Sequence, residues 1–233
     1  MNLSPSNYSA WKGLFFPRLC LHCKTPLAKD QNVLCCSCFD LLEFLDSKKH
    51  CAGCLREGTS WCSECEEKNP SYDFASSCFI YLGPIESLIL EFKYHDVPHL
   101  AVGLASFLYL QLEACGWPYP DIITYIPQTF IKRYWRGYNQ SELIALELAK
   151  LIARPCKKLL TKRSSGLAQH FLLKHERKKQ HEPFFCLQPE LIEGKKILII
   201  DDVFTTGTTV EQAAKALRVG EPAEIYVLTI SVA

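Results

Sequence analysis

No apolar run in this sequence approaches the roughly 18 residues needed to cross a bilayer, so no transmembrane helix is expected. Residues 1–20 interleave polar side chains and prolines where a secretory signal needs a continuous apolar core, and a cytoplasmic location is the expectation. A dominant charge is missing as well. The 26 Lys and Arg nearly balance 25 Asp and Glu, for a formal charge of +1. No global field therefore points to nucleic acid or an anionic membrane, and any basic surface must be local. Long apolar stretches are also scarce between residues 20 and 70, which excludes a conventional hydrophobic core for that region alone.

What is present divides unevenly. With 233 residues, 48% of them hydrophobic, the chain can bury a sizeable core, and its length suits one ordinary domain with a small attachment, or two small domains. Nine of the thirteen cysteines lie between Cys20 and Cys65. In a reducing compartment, a paired spacing favours thiolate ligation of a metal over disulfides. The pairs are Cys20 with Cys23, Cys35 with Cys38, Cys51 with Cys54 and Cys62 with Cys65, each separated by two residues. Eight ligands suffice for two closed, tetrahedral Zn²⁺ sites of structural type. Sequential pairing closes the shortest loops, and interleaved pairing is the alternative. Thiol exchange is the rival use of such pairs. Cys36 is spare, and His22 and His50 are neighbours able to substitute as ligands. Cys78, Cys115, Cys156 and Cys186 lie in or beside apolar runs and read as inert buried thiols.

The division expected is a cysteine-rich module over residues 1–70 and an α/β domain over 71–233, with Asn69, Pro70 and Ser71 at the junction. The second part alternates short apolar runs with amphipathic helices, the pattern of βαβ units around a parallel sheet. Strands are predicted at 77–82, 122–126, 195–200 and 224–232, and helices at 85–94, 100–114, 141–153 and 210–219. The 155–183 stretch breaks this rhythm. It carries Lys157, Lys158, Lys162, Arg163, Lys174, Arg177, Lys178 and Lys179 against Glu176 and Glu182, and reads as a basic excursion.

The most informative segment runs from Ile197, Leu198, Ile199 and Ile200 into Asp201, Asp202, Val203, Phe204, Thr205, Thr206, Gly207, Thr208 and Thr209. A buried parallel strand ends at its carboxyl edge, where α/β folds place ligands. Two adjacent carboxylates there can accept hydrogen bonds from vicinal hydroxyls. The Thr-rich turn offers N–H groups and hydroxyls to an anion, with Gly207 permitting close backbone approach and the next helix presenting its positive end. Thr208 with Glu211, or Thr209 with Gln212, fits a capping box, so the helix should start at one of those threonines. After the strand at 122–126, Arg133, Arg136, Gly137 and Asn139 form a cationic, hydrogen-bonding turn suited to a pyrophosphate; a solvated basic turn is the plainer reading.

The Ile197-to-Thr209 segment resembles the phosphoribosyltransferase signature across all thirteen positions. The resemblance implies a phosphoribosyltransferase-type parallel sheet flanked by helices. It further implies that Asp201 and Asp202 hold ribose hydroxyls, partly through Mg²⁺, and that Thr205, Thr206, Gly207, Thr208 and Thr209 cradle the 5-phosphate of phosphoribosyl pyrophosphate. Thr205 stands where the hypoxanthine-type enzymes carry a further acid, which argues against that branch. Tyr125, Ile126 and Pro127 followed by Arg133, Arg136, Gly137, Tyr138, Asn139 and Gln140 resemble a block of the ComF family of competence proteins (ComF/GntX-like). Gln169, His170 and the 176–180 stretch resemble that family's next block, with Gln180 where the family commonly has Asn.

This second resemblance implies a zinc-bearing, phosphoribosyl-pyrophosphate-binding protein that handles single-stranded DNA during natural transformation, with DNA-uptake machinery as partners. Lys174, Arg177, Lys178 and Lys179 are then the DNA-binding candidates, with Tyr134, Trp135 and Tyr138 able to stack bases. The alternative is an active phosphoribosyltransferase with an unknown acceptor, for which the sequence presents no recognisable nucleobase pocket and identifies no catalytic residue. A third reading is a nucleic-acid-binding zinc module with a degenerate ribose site, against which the intact Asp201 and Asp202 count.

Overall fold

The computed structural model describes residues 18–29, 31–58, 61–95, 97–129, 137–162 and 184–233. Two short helices, α1 (Cys36–Phe39) and α2 (Ser63–Lys68), belong to the cysteine-rich region. They are followed by β1 (Phe74–Ile80), α3 (Pro84–Tyr94), α4 (Leu100–Cys115), β2 (Ile122–Tyr125) and α5 (Gln140–Leu151). Then come β3 (Leu160–Lys162), β4 (Phe184–Cys186), β5 (Lys196–Phe204), α6 (Thr208–Arg218) and β6 (Glu224–Val232). Four strands form a parallel sheet in the order β1-β6-β5-β2, while β3 and β4 pair antiparallel beside it.

The strand sequences explain the layering. Successive side chains on a strand point to opposite faces, and a parallel sheet covered on both faces needs apolar residues at nearly every position. Accordingly Leu198, Ile200, Tyr226, Leu228 and Ile230 pack with Ile89 of α3, Leu104 of α4 and Leu148 of α5. Ile197, Ile199, Ile225 and Val227 pack on the other face with Ala213 and Leu217 of α6 and with Leu160 and Phe184 of the hairpin. Pro84 occupies the first turn of α3, where its missing N–H is harmless.

An uncovered edge strand would invite pairing with another chain, and here both edges are covered. Along β1, Leu45 N–H donates to Cys78 O at 2.9 Å, Ile80 N–H to Glu43 O at 3.0 Å and Ala75 N–H to Ala52 O at 2.6 Å. Along β2, Ile123 N–H donates to Pro155 O at 2.9 Å and Lys157 N–H to Ile123 O at 2.8 Å. The cysteine-rich segment is therefore packed onto the sheet. Cys20, Leu34, Cys38 and Leu42 join the core on the α4 and α5 face, while Leu55 joins the core on the α6 face. Residues 71–73 are pinned to α6: Ser71 N–H and Oγ donate to the Glu211 carboxylate at 2.8 and 2.7 Å, and Arg218 pairs with Asp73 at 2.7 Å.

Most expected elements are present, with instructive differences. β6 has its expected bounds, whereas β1 starts three residues before the expected 77 and β5 continues four past the expected 200, through both aspartates. β3 and β4 were not expected; they flank residues 163–183 in the sequence, with Leu160 and Phe184 buried. Residues 163–183, most of that excursion, lie outside the described residues. Among the described residues no helix is long and apolar enough to cross a membrane.

Candidate functional site

β5 delivers Asp201 and Asp202 to its carboxyl end. Asp201 is buried, and its Oδ1 accepts from Ser141 Oγ and from Asp202 N–H, both at 2.9 Å. Burial, with the neighbouring Asp202 charge second, pushes the Asp201 carboxyl up to about 7. Ser141 is in the first turn of α5, so the positive end of that helix lies against Asp201. Asp202 is held differently. Its Oδ2 accepts from Lys93 Nζ at 2.7 Å, across from the last turn of α3. Neither Ser141 nor Lys93 stood out as a site residue in the sequence. Ser141 adjoins the Asn139-Gln140 block, but a lysine ending an amphipathic helix gives no such signal.

The turn after β5 has the form its composition implies. Gly207 adopts φ +74°, and a Cβ there would stand 2.9 Å from the Phe204 ring and 3.6 Å from the Tyr72 hydroxyl, so only glycine fits. Thr206 Oγ1 and Thr208 Oγ1 lie 2.8 Å apart, and Thr208 N–H points at Thr206 Oγ1 from 3.4 Å. Thr205 and Thr206 are exposed, while Thr208 and Thr209 are half-buried. The helix does start at Thr208, but the expected capping box does not form. Gly207, which has no side chain to cap with, holds the cap position, and the Glu211 carboxylate binds Ser71 instead. Of the first-turn N–H groups of α6, that of Thr208 faces Thr206 Oγ1, and Gly207 offers the others no side-chain cap.

The basic turn is described only in part. Arg133 and Arg136, with Tyr134 and Trp135, lie outside the described residues, as do Lys174, Arg177, Lys178 and Lys179, and Gln169, His170 and Gln180. Gly137 is exposed at φ +73°. Asn139 is buried and caps α5, its Oδ1 accepting from Ser141 N–H at 3.2 Å and its Nδ2 donating to Ile126 O at 3.0 Å. Its side chain therefore shapes the turn from within the fold. Tyr138, considered for base stacking, packs against Phe92 and donates to Phe92 O at 2.7 Å.

The eight paired cysteines fall into two tetrads, Cys20, Cys23, Cys35 and Cys38 in one and Cys51, Cys54, Cys62 and Cys65 in the other. Within each tetrad the sulfurs lie within 4.8 Å of one another. The pairing is thus sequential, and the interleaved alternative is excluded. His22 and His50 are not needed: His22 Nδ1 bonds Ser87 Oγ at 2.9 Å and His50 Nδ1 bonds Asp46 O at 2.8 Å. Four sulfurs at this spacing suit a tetrahedral, thiophilic ion, and either tetrad could hold Zn²⁺.

Electrostatics agree with that fit. The Thr25 hydroxyl and N–H bring Cys23 down to about 6. Burial opposes ionisation of Cys51, but the N–H groups of Cys54, Cys62 and Gly53 outweigh it and bring this thiol to about 6. Burial and the neighbouring thiols push Cys38 up to about 12 and raise Cys65 as well. Four thiolates cannot crowd together without a cation, which is what a bound divalent ion would supply.

The remaining thiols are quiet. Cys78 is fully buried and burial raises its pKa; burial also raises Cys115, Cys186 and, to about 11, Cys156. Contrary to expectation, the last three are only half-buried. Cys36 is exposed and accepts from Gln31 Nε2 at 3.0 Å.

Comparison with known proteins matches this architecture. The family model for the phosphoribosyl transferase domain matches residues 135–231, which contain the aspartate pair and the glycine turn. The chain is 28% identical over 211 residues to Competence protein F of Haemophilus influenzae, covering 88% of this chain and 92% of that protein. It is 30% identical over 213 residues to the DNA utilization protein YhgH of Escherichia coli K12, with the same two shares. It is 27% identical over 195 residues to Competence protein ComFC of Streptococcus pneumoniae, covering 82% of this chain and 84% of that one. The likeness extends well beyond the phosphoribosyl transferase domain, taking in most of the cysteine-rich region along with the parallel sheet, and the chain belongs to the ComF family.

Proposed function

We propose that this protein binds phosphoribosyl pyrophosphate at the end of β5 and handles single-stranded DNA during natural transformation, as a cytoplasmic partner of the DNA-uptake machinery. The observation that carries the ligand reading is the sequence of groups along one strand end: Asp201 and Asp202, then the Gly207 turn, then the N-terminus of α6. Carboxylates suit ribose hydroxyls, directly or through Mg²⁺, and the Thr205, Thr206, Gly207, Thr208 and Thr209 turn suits a 5-phosphate. Gly137 with Arg133 and Arg136 would meet the pyrophosphate, and Asn139 would set the shape of that turn. The donor set fits Mg²⁺, which takes one or two carboxylates together with ligand phosphates.

The names of the relatives, competence protein and DNA utilization protein, support the biological role. In this reading residues 1–70 form a double zinc module, structural in purpose, and residues 71–233 form the ligand-binding domain. Lys174, Arg177, Lys178 and Lys179 supply the phosphate contacts to a single strand.

Titration calorimetry with phosphoribosyl pyrophosphate, with and without Mg²⁺, tests the ligand. Mg²⁺-dependent binding that disappears in a folded Asp201→Asn, Asp202→Asn double variant is expected, and unchanged affinity in that variant would refute the site. A parallel assay for pyrophosphate release separates a binding protein from a working transferase.

A further inference from the structure

The Lys93–Asp202 pair joins two halves of the site that the sequence keeps apart. Lys93 Nζ lies 2.7 Å from Asp202 Oδ2, and both side chains are mostly withdrawn from water, at 19% and 17% exposed. A lysine in the last turn of a helix ordinarily points its ammonium to solvent or to the helix's own carbonyls. Lys93 instead reaches to the carboxyl end of β5. Its own peptide is tied to the other half, because the Phe92 carbonyl accepts from Tyr138 Oη at 2.7 Å and from Gln140 Nε2 at 3.2 Å. The residue thus meets the aspartate pair through its ammonium, while the peptide that precedes it is bonded to the turn at 137–140.

We propose that Lys93 is a further ligand-binding residue of this site, holding Asp202 while no anion is present, barring a free divalent cation from the acidic pair, and turning to the pyrophosphate of an incoming phosphoribosyl ligand. The proposal rests on the ribose-phosphate reading above. The charges explain why one residue does all three. With Lys93 in place the acid pair already has a counter-ion 2.7 Å away, so a bare Mg²⁺ meets a like charge and an occupied oxygen. A pyrophosphate brings enough negative charge to accommodate the ammonium and the metal together, and an ammonium has three N–H donors to offer. Metal and phosphate ligand therefore enter together, and the metal does not enter first.

The test is a pair of measurements with opposite expected signs. Binding of Mn²⁺ to the ligand-free protein, with the tetrads loaded with Zn²⁺, should tighten at least tenfold in Lys93→Met. Affinity for phosphoribosyl pyrophosphate at saturating Mg²⁺ should fall at least tenfold in the same variant. Lys93→Arg, which keeps the charge, should stay within about threefold of the native protein in both. A merely structural lysine would weaken both together or change neither, and either result overturns the proposal, as does a change in only one. Circular dichroism establishes folding, and if Lys93→Met does not fold, Lys93→Gln carries the same two measurements. If the native protein binds no phosphoribosyl pyrophosphate, the ribose-phosphate reading fails on its own, while the Mn²⁺ gain still decides whether Lys93 is the counter-ion.

Discussion

The Tyr72 hydroxyl donates to the Gly53 carbonyl at 2.6 Å, and the same oxygen lies beside Gly207. Gly53 sits between the two ligands of one cysteine pair, and Gly207 heads the turn before α6, so one buried phenol links the second tetrad to the candidate phosphate cradle. Burial, with the Glu211 charge next, keeps this phenol protonated and able to donate by raising its pKa. Tyr72→Phe leaves a buried carbonyl without its donor, which costs about 1–3 kcal/mol. Urea unfolding should show that loss, and a change below about 0.5 kcal/mol would mean that water replaces the hydroxyl.

Asp201 makes stability depend on pH in an unusual direction. Its folded-state value of about 7 lies above the roughly 3.9 of an unfolded aspartate. Between those values the native protein keeps a proton that the unfolded chain has released, so its stability falls as pH rises. Free of Mg²⁺ and ligand, the native protein should lose up to about 1.4 kcal/mol per pH unit from this group between pH 4 and 7. Asp201→Asn should flatten the profile there, and parallel profiles for the two proteins would contradict the assignment.

The two tetrads predict about two zinc ions per chain, measured by elemental analysis. Because the pairing is sequential, Cys51→Ser should remove one equivalent and leave the Cys20, Cys23, Cys35 and Cys38 site filled. Fully folded native protein that carries no metal when purified without chelators would refute the zinc reading.

DNA binding should be electrostatic. Replacing Lys174, Arg177, Lys178 and Lys179 with Ser is expected to weaken single-strand binding for all sequences alike. Each lost phosphate contact should also remove roughly 0.7 from the slope of log affinity against log salt. Wild-type affinity and slope in that variant would move the DNA site to the cysteine module or to the turn at 133–138. Phosphoribosyl pyrophosphate affinity is measured separately, because basic side chains can attract either polyanion.

What the sequence determined by itself was whatever is encoded over a few consecutive residues. The acid pair, the Gly207 turn and the start of α6 are contiguous, so strand periodicity and turn chemistry make them legible. The cysteine pairs are legible for the same reason, and β6 matches its expected bounds because its apolar run is long and begins directly after Glu224. The tertiary structure alone decided how distant segments meet. Nothing local puts Lys93 on Asp202, Glu211 on Ser71 in place of a capping box, or Tyr72 on Gly53. The order β1-β6-β5-β2 does so, bringing β1 beside the last strand, packing the cysteine-rich segment along the sheet edge and placing α3 beside the aspartates. The short hairpin was hidden for a related reason: in β3 and β4 only Leu160 and Phe184 are buried, too few to set a period, and their partners lie across a long insertion. Periodicity reports which face of an element is buried, but the partner that covers it is set by the path of the whole chain.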